Sequence, residues 1–306
     1  MIAPVDIGGT KIAVGLVDGN GHIVARRESP TDAGRGFNNA LERICSALRS
    51  AAQNAGTEVT GIGIACTGPV DPFAGIIGNV DFLPGWKGFN LVEPLAKEFR
   101  VSVAMENDAD AAALGEAAWG AGRGKQRFIY LTVSTGIGGG IVLDGKLYRG
   151  VEQSHPEIGH HVIDPAGPKC FCGARGCWEA LASGPAMVEW VRAHAPSNYK
   201  HLPRLDARRI FELMEQGEGV CRLAVEREAY YLGLGLANLI TLFTPDVIAL
   251  GGGVMKSAHL LLEQAKQIIR QNCGLVPHEK TEVRLASLGA DTTLSGAAQV
   301  WHHRFR

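Results

Sequence analysis

Two stretches of this chain share one layout, and a repeat constrains the fold more than any single motif does. Residues 2–29 read as three strands, with a glycine turn at 8–10 between the first two and an Asp-Gly turn before the third. The same order recurs over residues 127–149, where GIVLDG at 140–145 aligns with VGLVDG at 14–19. Hairpins are common, so chance similarity remains an alternative. Otherwise the repeat predicts a duplicated α/β domain whose two glycine turns face each other across a cleft.

Helix and strand patterns alternate along the rest of the chain. Residues 37–54 place Leu41 and Ile44 at helical spacing, and an Ala-rich helix is predicted for Asp108–Trp119 with Asn107 as its N-cap. Further helices are predicted near residues 91–99, 185–194, 207–215, 220–243, 257–272 and 292–302, and further strands near 59–66, 101–106, 247–251 and 282–287. This alternation predicts a partly parallel sheet with helices on its faces.

The length of 306 residues is enough for two domains. We expect a smaller N-terminal domain of residues 1–118, joined by the closing helix at about 291–306. The larger C-terminal domain would then comprise residues 119–290 and carry a loop at 155–179. A net charge of −1 gives no electrostatic reason to expect nucleic acid as a partner.

Cysteine usage and hydropathy predict a cytoplasmic protein. The chain has seven cysteines, an odd number, and four of them lie in apolar or helical contexts, which fits buried free thiols in a reducing compartment. The chain runs straight into a strand, with no pattern of a signal peptide. The longest apolar run, residues 230–243, is broken by Asn238 and is shorter than the ~20 residues that a membrane span needs.

The loop at 155–179 concentrates groups that bind metals. Cys170, Cys172 and Cys177 have the spacing C-x-C-x4-C, with a histidine ten residues upstream, and four such ligands can close around one zinc ion. A shell without an open position is structural rather than catalytic. The alternative interpretation is three free thiols that bind no metal. A bound zinc ion would fix the carboxylates of Glu157 and Glu179, which suggests a pocket for a polar ligand such as a sugar.

Three glycine-rich turns, at residues 6–11, 134–140 and 251–253, expose backbone N–H groups of the kind that bind phosphate. None has the spacing of a Walker A loop, and the second turn lacks the third glycine of a dinucleotide fingerprint. Each alone is equally well explained as a plain tight turn. Asp6, at the end of an apolar strand, can hold a hydrated Mg²⁺ ion that accompanies a nucleotide, or it caps the turn.

Glu106, Asp108 and Asp110 surround a predicted strand-to-helix junction. Asp108 lies in the first helical turn, where the helix dipole favours the ionised carboxylate at neutral pH. Phosphoryl transfer needs such an aspartate to orient a hydroxyl and accept its proton. Asp110 is turned by about 200° around the helix, so both cannot face one substrate. A carboxylate without a chemical role is the alternative.

Taken together, these motifs resemble those of the ROK family of sugar kinases and repressors. The matching segments are DIGGTK at 6–11, ENDAD at 106–110, TVSTGIGGGI at 132–141, EIGHH at 157–161, CFCGARGCWE at 170–179 and LGGGV at 250–254. The resemblance implies the duplicated actin-like ATPase fold, which is ribonuclease H-like, with two domains flanking a cleft. At Cys66 the sequence departs from the Thr-Pro motif that is more usual in the family.

The resemblance also implies the site residues. It implies ATP contacts at Asp6, Gly8, Gly9, Thr10, Lys11, Thr135, Gly136, Gly138 and Gly252. It implies sugar contacts at Gly68, Asn79, Asn107, Asp108, Glu157, His160 and Glu179, with Asp108 as the catalytic base. It implies structural zinc on His160, Cys170, Cys172 and Cys177, which leaves His161 as a neighbour.

The function implied is that of a hexose kinase that uses ATP with Mg²⁺ and phosphorylates the 6-hydroxyl. Glucose is the first expectation, with N-acetylmannosamine and fructose as alternatives. The partners are the hexose and ATP, without nucleic acid or membrane, and a homodimer or homotetramer is expected. Sugar-responsive repressors of the family carry a helix-turn-helix module ahead of the first phosphate motif. That motif begins here at Asp6, which predicts a kinase.

Overall fold

Two five-stranded sheets organise the chain in the computed structural model, which describes residues 1–195 and 205–306. The strands are β1 Ile2–Ile7, β2 Lys11–Val17, β3 Ile23–Pro30, β4 Gly61–Cys66, β5 Val70–Asp71, β6 Ile76–Ile77, β7 Val103–Asn107, β8 Arg127–Val133, β9 Ile137–Leu143, β10 Lys146–Leu147, β11 Val247–Gly251 and β12 Glu282–Leu285. The α-helices are α1 Phe37–Ala55, α2 Val92–Phe99, α3 Asp108–Trp119, α4 Trp178–Ala182, α5 Gly184–His194, α6 Ala207–Glu215, α7 Gly219–Phe243, α8 Leu262–Asn272 and α9 Thr292–Phe305.

The two sheets repeat one topology. The first has the strand order β3-β2-β1-β4-β7 and the second the order β10-β9-β8-β11-β12, so each sheet reads 3-2-1-4-5 when its strands are numbered along the chain. In the first sheet β1, β4 and β7 run parallel, while β2 is antiparallel to β1 and β3. In the second sheet β8, β11 and β12 run parallel and β9 is antiparallel to β10. The predicted duplicated α/β fold is confirmed.

Contacts divide the chain into two units. The first comprises Met1–Gln126, Gly140–His155 and Ala286–Arg306, and the second comprises Arg127–Gly139 and Pro156–Leu285. This division differs from the domain boundary at residues 118–119, which stays a prediction. Residues 140–155 belong to the first unit because β9 packs against α3 at Gly140, where a Cβ atom would lie 2.6 Å from the Cβ of Ala113.

In the first unit, α1 buries an apolar stripe against the sheet. The stripe consists of Phe37, Ala40, Ile44, Leu48 and Ala51, at the spacing of one helical face. The core that it covers includes Val14 and Leu16 of β2 and Ile62 and Ile64 of β4. The helix predicted for 37–54 is thereby confirmed. It ends at Gly56, which takes the left-handed conformation typical of a helix C-terminus.

The second unit departs from the sequence prediction in one helix. The helix expected at 257–272 is divided into a 3-10 segment, Val254–Leu260, and α8. Ser257 has non-helical backbone angles, with φ −104° and ψ 28°. The helix is therefore interrupted at this residue, although the apolar periodicity of the sequence continues through it. Within the described ranges, none of the helices combines the length and the apolar character required to cross a bilayer.

A buried carboxylate joins the end of α3 to the segment that leads into α9. Glu116 is fully buried. Its carboxylate accepts hydrogen bonds from the N–H groups of Ala121 at 2.7 Å, Ser287 at 3.0 Å and Leu288 at 2.8 Å. Three backbone donors satisfy the buried charge, so this contact closes the first unit over a long separation in sequence.

Glu116→Gln should therefore lower the free energy of unfolding by about 2–4 kcal/mol, because an amide offers one acceptor oxygen and places a donor against backbone donors. Urea-induced unfolding measures this change. Glu42→Gln, an exposed position on α1, is the matched control and should stay within about 0.5 kcal/mol of the wild type. Equal stability of the two variants would contradict the structural role of Glu116.

Candidate functional site

Strand register brings three predicted site segments together in the first unit. Ile7 of β1 pairs with Cys66 of β4, and Cys66 pairs with Asn107 of β7. Because parallel strands in register end at the same sheet edge, the residues that follow them leave the sheet side by side. These residues are the turn at 8–10, the segment Thr67-Gly68 and the start of α3. A Cβ atom on Gly68 would lie 2.6 Å from the side-chain nitrogen of Asn107, so residue 68 must be small.

Asp108 lies at the first position of α3. Asn107 caps the helix, and its side-chain oxygen accepts a hydrogen bond from the N–H of Ala109 at 2.8 Å. Burial of the carboxyl group is the largest influence on Asp108 and raises its pKa to about 6, against the lowering effects of the Ala109 N–H and the charge of His155. The sequence predicted that the helix dipole would favour the ionised form. Burial outweighs that effect, although the carboxylate still predominates at pH 7.

Asp6 is the second carboxyl group at this edge. Burial, followed by the charge of Asp108, raises its pKa to about 7, and Lys11 acts in the opposite direction. Each negative charge therefore disfavours the other. A cation placed near the two groups would relieve this repulsion, and Mg²⁺ commonly uses one or two carboxylates while it keeps several waters. The residues present thus fit the hydrated Mg²⁺ predicted from the sequence.

The glycine turn after β1 has contacts that the sequence did not predict. The Gly8 N–H donates to the Lys11 carbonyl at 2.9 Å, and the Thr31 hydroxyl donates to the Gly8 carbonyl at 2.6 Å. A Cβ atom on Gly9 would lie 2.5 Å from the Cβ of Phe82, so the loop that carries Asn79 passes directly over the turn. The requirement for glycine at position 9 thus has a packing reason.

Three further predicted residues of the first unit are exposed. Thr10 is exposed at the end of the turn, and Lys11 forms an ion pair with Glu28 at 3.2 Å on the outer face of the hairpin. Asn79 has an exposed side chain. It follows Gly78, whose N–H donates to the Pro69 carbonyl at 2.8 Å, so the backbone holds this loop beside Gly68-Pro69. Their roles as ligand contacts stay predictions.

In the second unit, Glu179 contacts the second glycine turn. Its Oε2 atom accepts a hydrogen bond from the Ile137 N–H at 2.8 Å, and Gly136 leaves room for this carboxylate because a Cβ atom there would overlap with Oε2. Thr135 is exposed at the tip of the turn, and Gly138 lies in β9. A hydrogen bond therefore joins a residue predicted to contact sugar to a turn predicted to contact phosphate.

The four predicted zinc ligands form one cluster, with their ligand atoms within 4.8 Å of one another. The Nδ1 atom of His160 lies 3.5 Å from the sulfur of Cys170, and the sulfurs of Cys172 and Cys177 are 3.5 Å apart. Tetrahedral zinc, with Zn–S near 2.3 Å and Zn–N near 2.0 Å, needs ligand separations of about 3.5–3.8 Å. The donor set fits a structural zinc ion, and zinc binding itself stays a proposal.

The histidine and the carboxylates near this cluster differ in what they contact. The Nε2 atom of His160 faces Glu179, 4.0 Å from its Oε1 atom. His161 is directed elsewhere, with its Nδ1 atom 2.6 Å from the Ile158 carbonyl and its ring against Trp178, and it is not part of the cluster. Glu157 is exposed, and its carbonyl accepts from the His160 N–H at 3.0 Å.

A cavity of about 560 Å³ lies in the second unit at the third glycine turn. Thr132 of β8 pairs with Gly251 of β11, so the turns that follow these two strands meet at one sheet edge. Thr135 and Gly253 both line the cavity, while the predicted contact Gly252 is exposed beside them. The remaining lining residues are Ser134, Gly184, Pro185, Val188, Glu189, Arg192, Leu205, Asp206, Ala207, Arg208, Val254, Lys256 and Ser257.

Several charged residues of these sites are not predicted by the sequence patterns. Arg192, Arg208 and Lys256 line the cavity together with Glu189 and Asp206, and Arg192 pairs with Glu189 at 3.4 Å. Of these residues, only Lys256 had a sequence signal, because it lies shortly after the third glycine turn. In the first unit the ion pairs of Glu106 with Arg149 and of Asp110 with His155 join residues far apart in sequence. No motif spacing could have indicated these pairs.

Cys172→Ser should lower the zinc content from about one ion per chain to less than about a third, since three ligands remain and the exposed edge of the cluster opens to water. Metal analysis of protein purified with zinc measures the change. Cys45→Ser, a free cysteine on α1 outside the cluster, is the matched control and should keep its zinc. Unchanged zinc in the Cys172 variant would refute the ligand set.

The sequence and the fold are similar to those of known proteins. The model of the ROK family matches residues 2–304. A glucokinase of Thermotoga maritima is 32% identical over 98% of this chain and 96% of its own length. The crystal structure of a ROK hexokinase from Thermus thermophilus is 36% identical, with a TM-score of 0.85 over 99% of this chain and 98% of that one.

A further solved structure carries ligands. It is a ROK family glucokinase from Streptomyces griseus in complex with glucose and AMPPNP. That chain is 33% identical to this one, with a TM-score of 0.80 over 98% of this chain and 99% of its own.

Proposed function

This chain belongs to the ROK family, and we propose that it is an ATP-dependent hexose kinase that phosphorylates the 6-hydroxyl of glucose. The observation that carries the proposal is the sheet edge at which Asp108, Asp6 and the glycine turn after β1 lie side by side. Full-length similarity to the Thermotoga maritima and Streptomyces griseus glucokinases supports glucose as the acceptor and ATP as the donor.

Asp108 is the proposed general base. Its carboxylate accepts the proton of the 6-hydroxyl while that oxygen forms a bond to the γ-phosphorus of ATP. The bond from the γ-phosphorus to the bridging oxygen breaks, and ADP leaves with that oxygen. A pKa of about 6 suits this role, because Asp108 is mostly ionised at pH 7 and remains a stronger base than an ordinary aspartate.

The two glycine turns and the cavity of the second unit are the proposed nucleotide contacts. Thr135, Gly136 and Gly138 would present backbone N–H groups to the phosphates, and Gly252 would approach the adenosine. The cavity of about 560 Å³ is within the usual size range of small-molecule sites. Asp6, with Gly8–Thr10, would hold the hydration shell of Mg²⁺, whose charge offsets that of the phosphates.

The sugar contacts proposed are Gly68, Asn79, Asn107, Glu157, His160 and Glu179. Carboxylates and amides suit a polyol because they accept or donate hydrogen bonds to its hydroxyls. A zinc ion on the thiols would orient His160, whose other ring nitrogen faces Glu179. We also propose a cytoplasmic location and assembly as a homodimer or homotetramer.

A panel of hexoses tests the function. The purified chain with ATP and Mg²⁺ should release ADP fastest with glucose, compared with N-acetylmannosamine, fructose, mannose and N-acetylglucosamine. Asp108→Asn should lower kcat about 10³-fold, because it removes the general base without removing a hydrogen-bonding side chain. Asp144→Asn, on the exposed turn after β9, is the matched control and should keep wild-type activity.

Two outcomes would contradict the assignment. If N-acetylmannosamine or fructose is the preferred substrate, glucose is the wrong acceptor, although the reaction is still phosphorylation of a sugar by ATP. An Asp108→Asn variant with activity within tenfold of the wild type would show that another group is the base.

The raised pKa of Asp108 predicts an acid limb in the rate profile. The carboxylate form accepts the proton, so kcat/KM for glucose should fall as the pH drops from about 7 through about 6, the range in which Asp6 and then Asp108 become protonated. If the pKa values of Asp6 and Asp108 were those of ordinary aspartates, kcat/KM would stay constant down to about pH 4. Initial rates between pH 4.5 and 8, with circular dichroism to verify folding, measure the limb. A midpoint near pH 4 would refute the raised value.

A further inference from the structure

The three carboxylates around the start of α3 have different partners. Glu106 forms ion pairs with Arg149 and with Arg304, the latter at 3.4 Å. Asp110 forms one with His155. Asp108 forms no ion pair within residues 1–195 and 205–306, which keeps its carboxylate available for a substrate. The two carboxylates that flank the proposed base are thus each held by a cation from another segment.

The contact between Asp110 and His155 is buried and short. The side chain of Asp110 is fully buried, that of His155 is 16% exposed, and the Nδ1 atom of His155 lies 2.8 Å from the Oδ2 atom of Asp110. Removing the cationic partner of a buried carboxylate is strongly destabilising, because the charge is left without compensation. His155 comes from the segment after β10, so this pair fastens that segment to the first turn of α3.

The first turn of α3 is also held from a second direction. Gly140 of β9 packs against it, and a Cβ atom there would lie 3.0 Å from the Cα of Asp110 and 3.0 Å from the carbonyl oxygen of Ala109. The turn therefore contacts β9 through its backbone and His155 through the side chain of Asp110. Asp108 lies in this same turn, two residues before Asp110, so its placement depends on both contacts.

The charge of His155 also acts on Asp108 directly. It lowers the pKa of Asp108, in opposition to burial and to the negative charge of Asp110. The imidazole is therefore near both carboxylates. Within the first unit the other titratable groups that influence or are influenced by Asp108 are Asp6 on β1 and Cys66 on β4. Among these groups His155 is the one whose side chain can carry a positive charge.

We propose that His155, through its ion pair with Asp110, is a positioning residue that fixes the helical turn carrying the proposed base Asp108. The proposal rests on the kinase function proposed above. Without His155, the buried charge of Asp110 is unpaired, and the turn shifts or admits water to solvate it. The 6-hydroxyl is then no longer held at the distance that proton transfer needs, and a displacement of about 1 Å costs about 10²-fold in rate.

Three variants test the pair. His155→Gln and Asp110→Asn should each lower kcat at least tenfold, with KM for glucose within threefold of the wild type, because most of the proposed sugar contacts lie outside this helical turn. The double variant His155→Gln/Asp110→Asn should recover kcat to within about threefold, since a neutral glutamine and a neutral asparagine leave no unpaired charge and can form a hydrogen bond. Each kcat is normalised to the folded fraction at the assay temperature.

The chain offers a matched control. His22 pairs with Asp18 at 3.2 Å on the exposed hairpin between β2 and β3, in the same unit. His22→Gln removes a histidine–aspartate pair of the same chemistry that is distant from α3 in sequence. It should leave kcat and KM unchanged.

The proposal is overturned if His155→Gln behaves as His22→Gln does. It is overturned if the single variants melt at lower temperature but keep kcat per folded molecule, since the pair is then only structural. It is also overturned if the two losses of kcat add in the double variant. If His155→Gln does not fold, Asp110→Asn and the double variant carry the same comparison. A wild type that phosphorylates no hexose overturns the kinase function first, and this proposal with it.

Discussion

The in-register parallel pairing of β1, β4 and β7 is the constraint on which the candidate site depends. Asp6, Ala65 and Glu106 share one register position, and Ile7, Cys66 and Asn107 share the next. Because side chains alternate between the faces of a sheet, a slip of one residue in β1 or β7 would send the carboxylate of Asp6 or Glu106 to the opposite face. The apolar core under α1 opposes that slip, since a shifted β4 would turn Ile62 away from this core and toward the face where Gly63 packs closely against Ala297. Core packing thus determines which polar groups meet at the sheet edge.

The duplication gave each half the same sheet but different surroundings for its glycine turn. In the first unit the turn after β1 is covered by Phe82 and lies near two carboxylates. In the second unit the turn after β8 donates a backbone hydrogen bond to Glu179, which in turn faces His160. The first turn therefore lies near two carboxyl groups, whereas the second turn has a backbone N–H that already donates to a carboxylate. The same sheet topology thus carries two turns with different local chemistry.

Local patterns in the sequence predicted much of this arrangement. The repeated hairpins, the capped helix after Asn107 and the metal-binding spacing of the cysteines each depend on residues close together in the chain, and the structure has all three features. What the sequence could not predict depends on tertiary contact. Burial reverses the expected direction of the pKa of Asp108, and the partner of Asp110 lies on a segment more than forty residues away. The helix expected at 257–272 is likewise divided at Ser257, where the backbone angles are not helical. Apolar periodicity cannot predict such an interruption.

Glu179 links two parts of the second unit through its two oxygen atoms. One oxygen holds the backbone of the glycine turn, and the other lies 4.0 Å from the imidazole whose opposite nitrogen faces the thiols. If zinc is bound to those sulfurs, as proposed, an agent that removes it would free the imidazole, and Glu179 would lose a fixed neighbour. The turn would then sample other conformations, and affinity for the nucleotide would weaken without any contact between metal and nucleotide. Inhibition by a chelator would consequently be no evidence that the metal acts as a Lewis acid in the reaction.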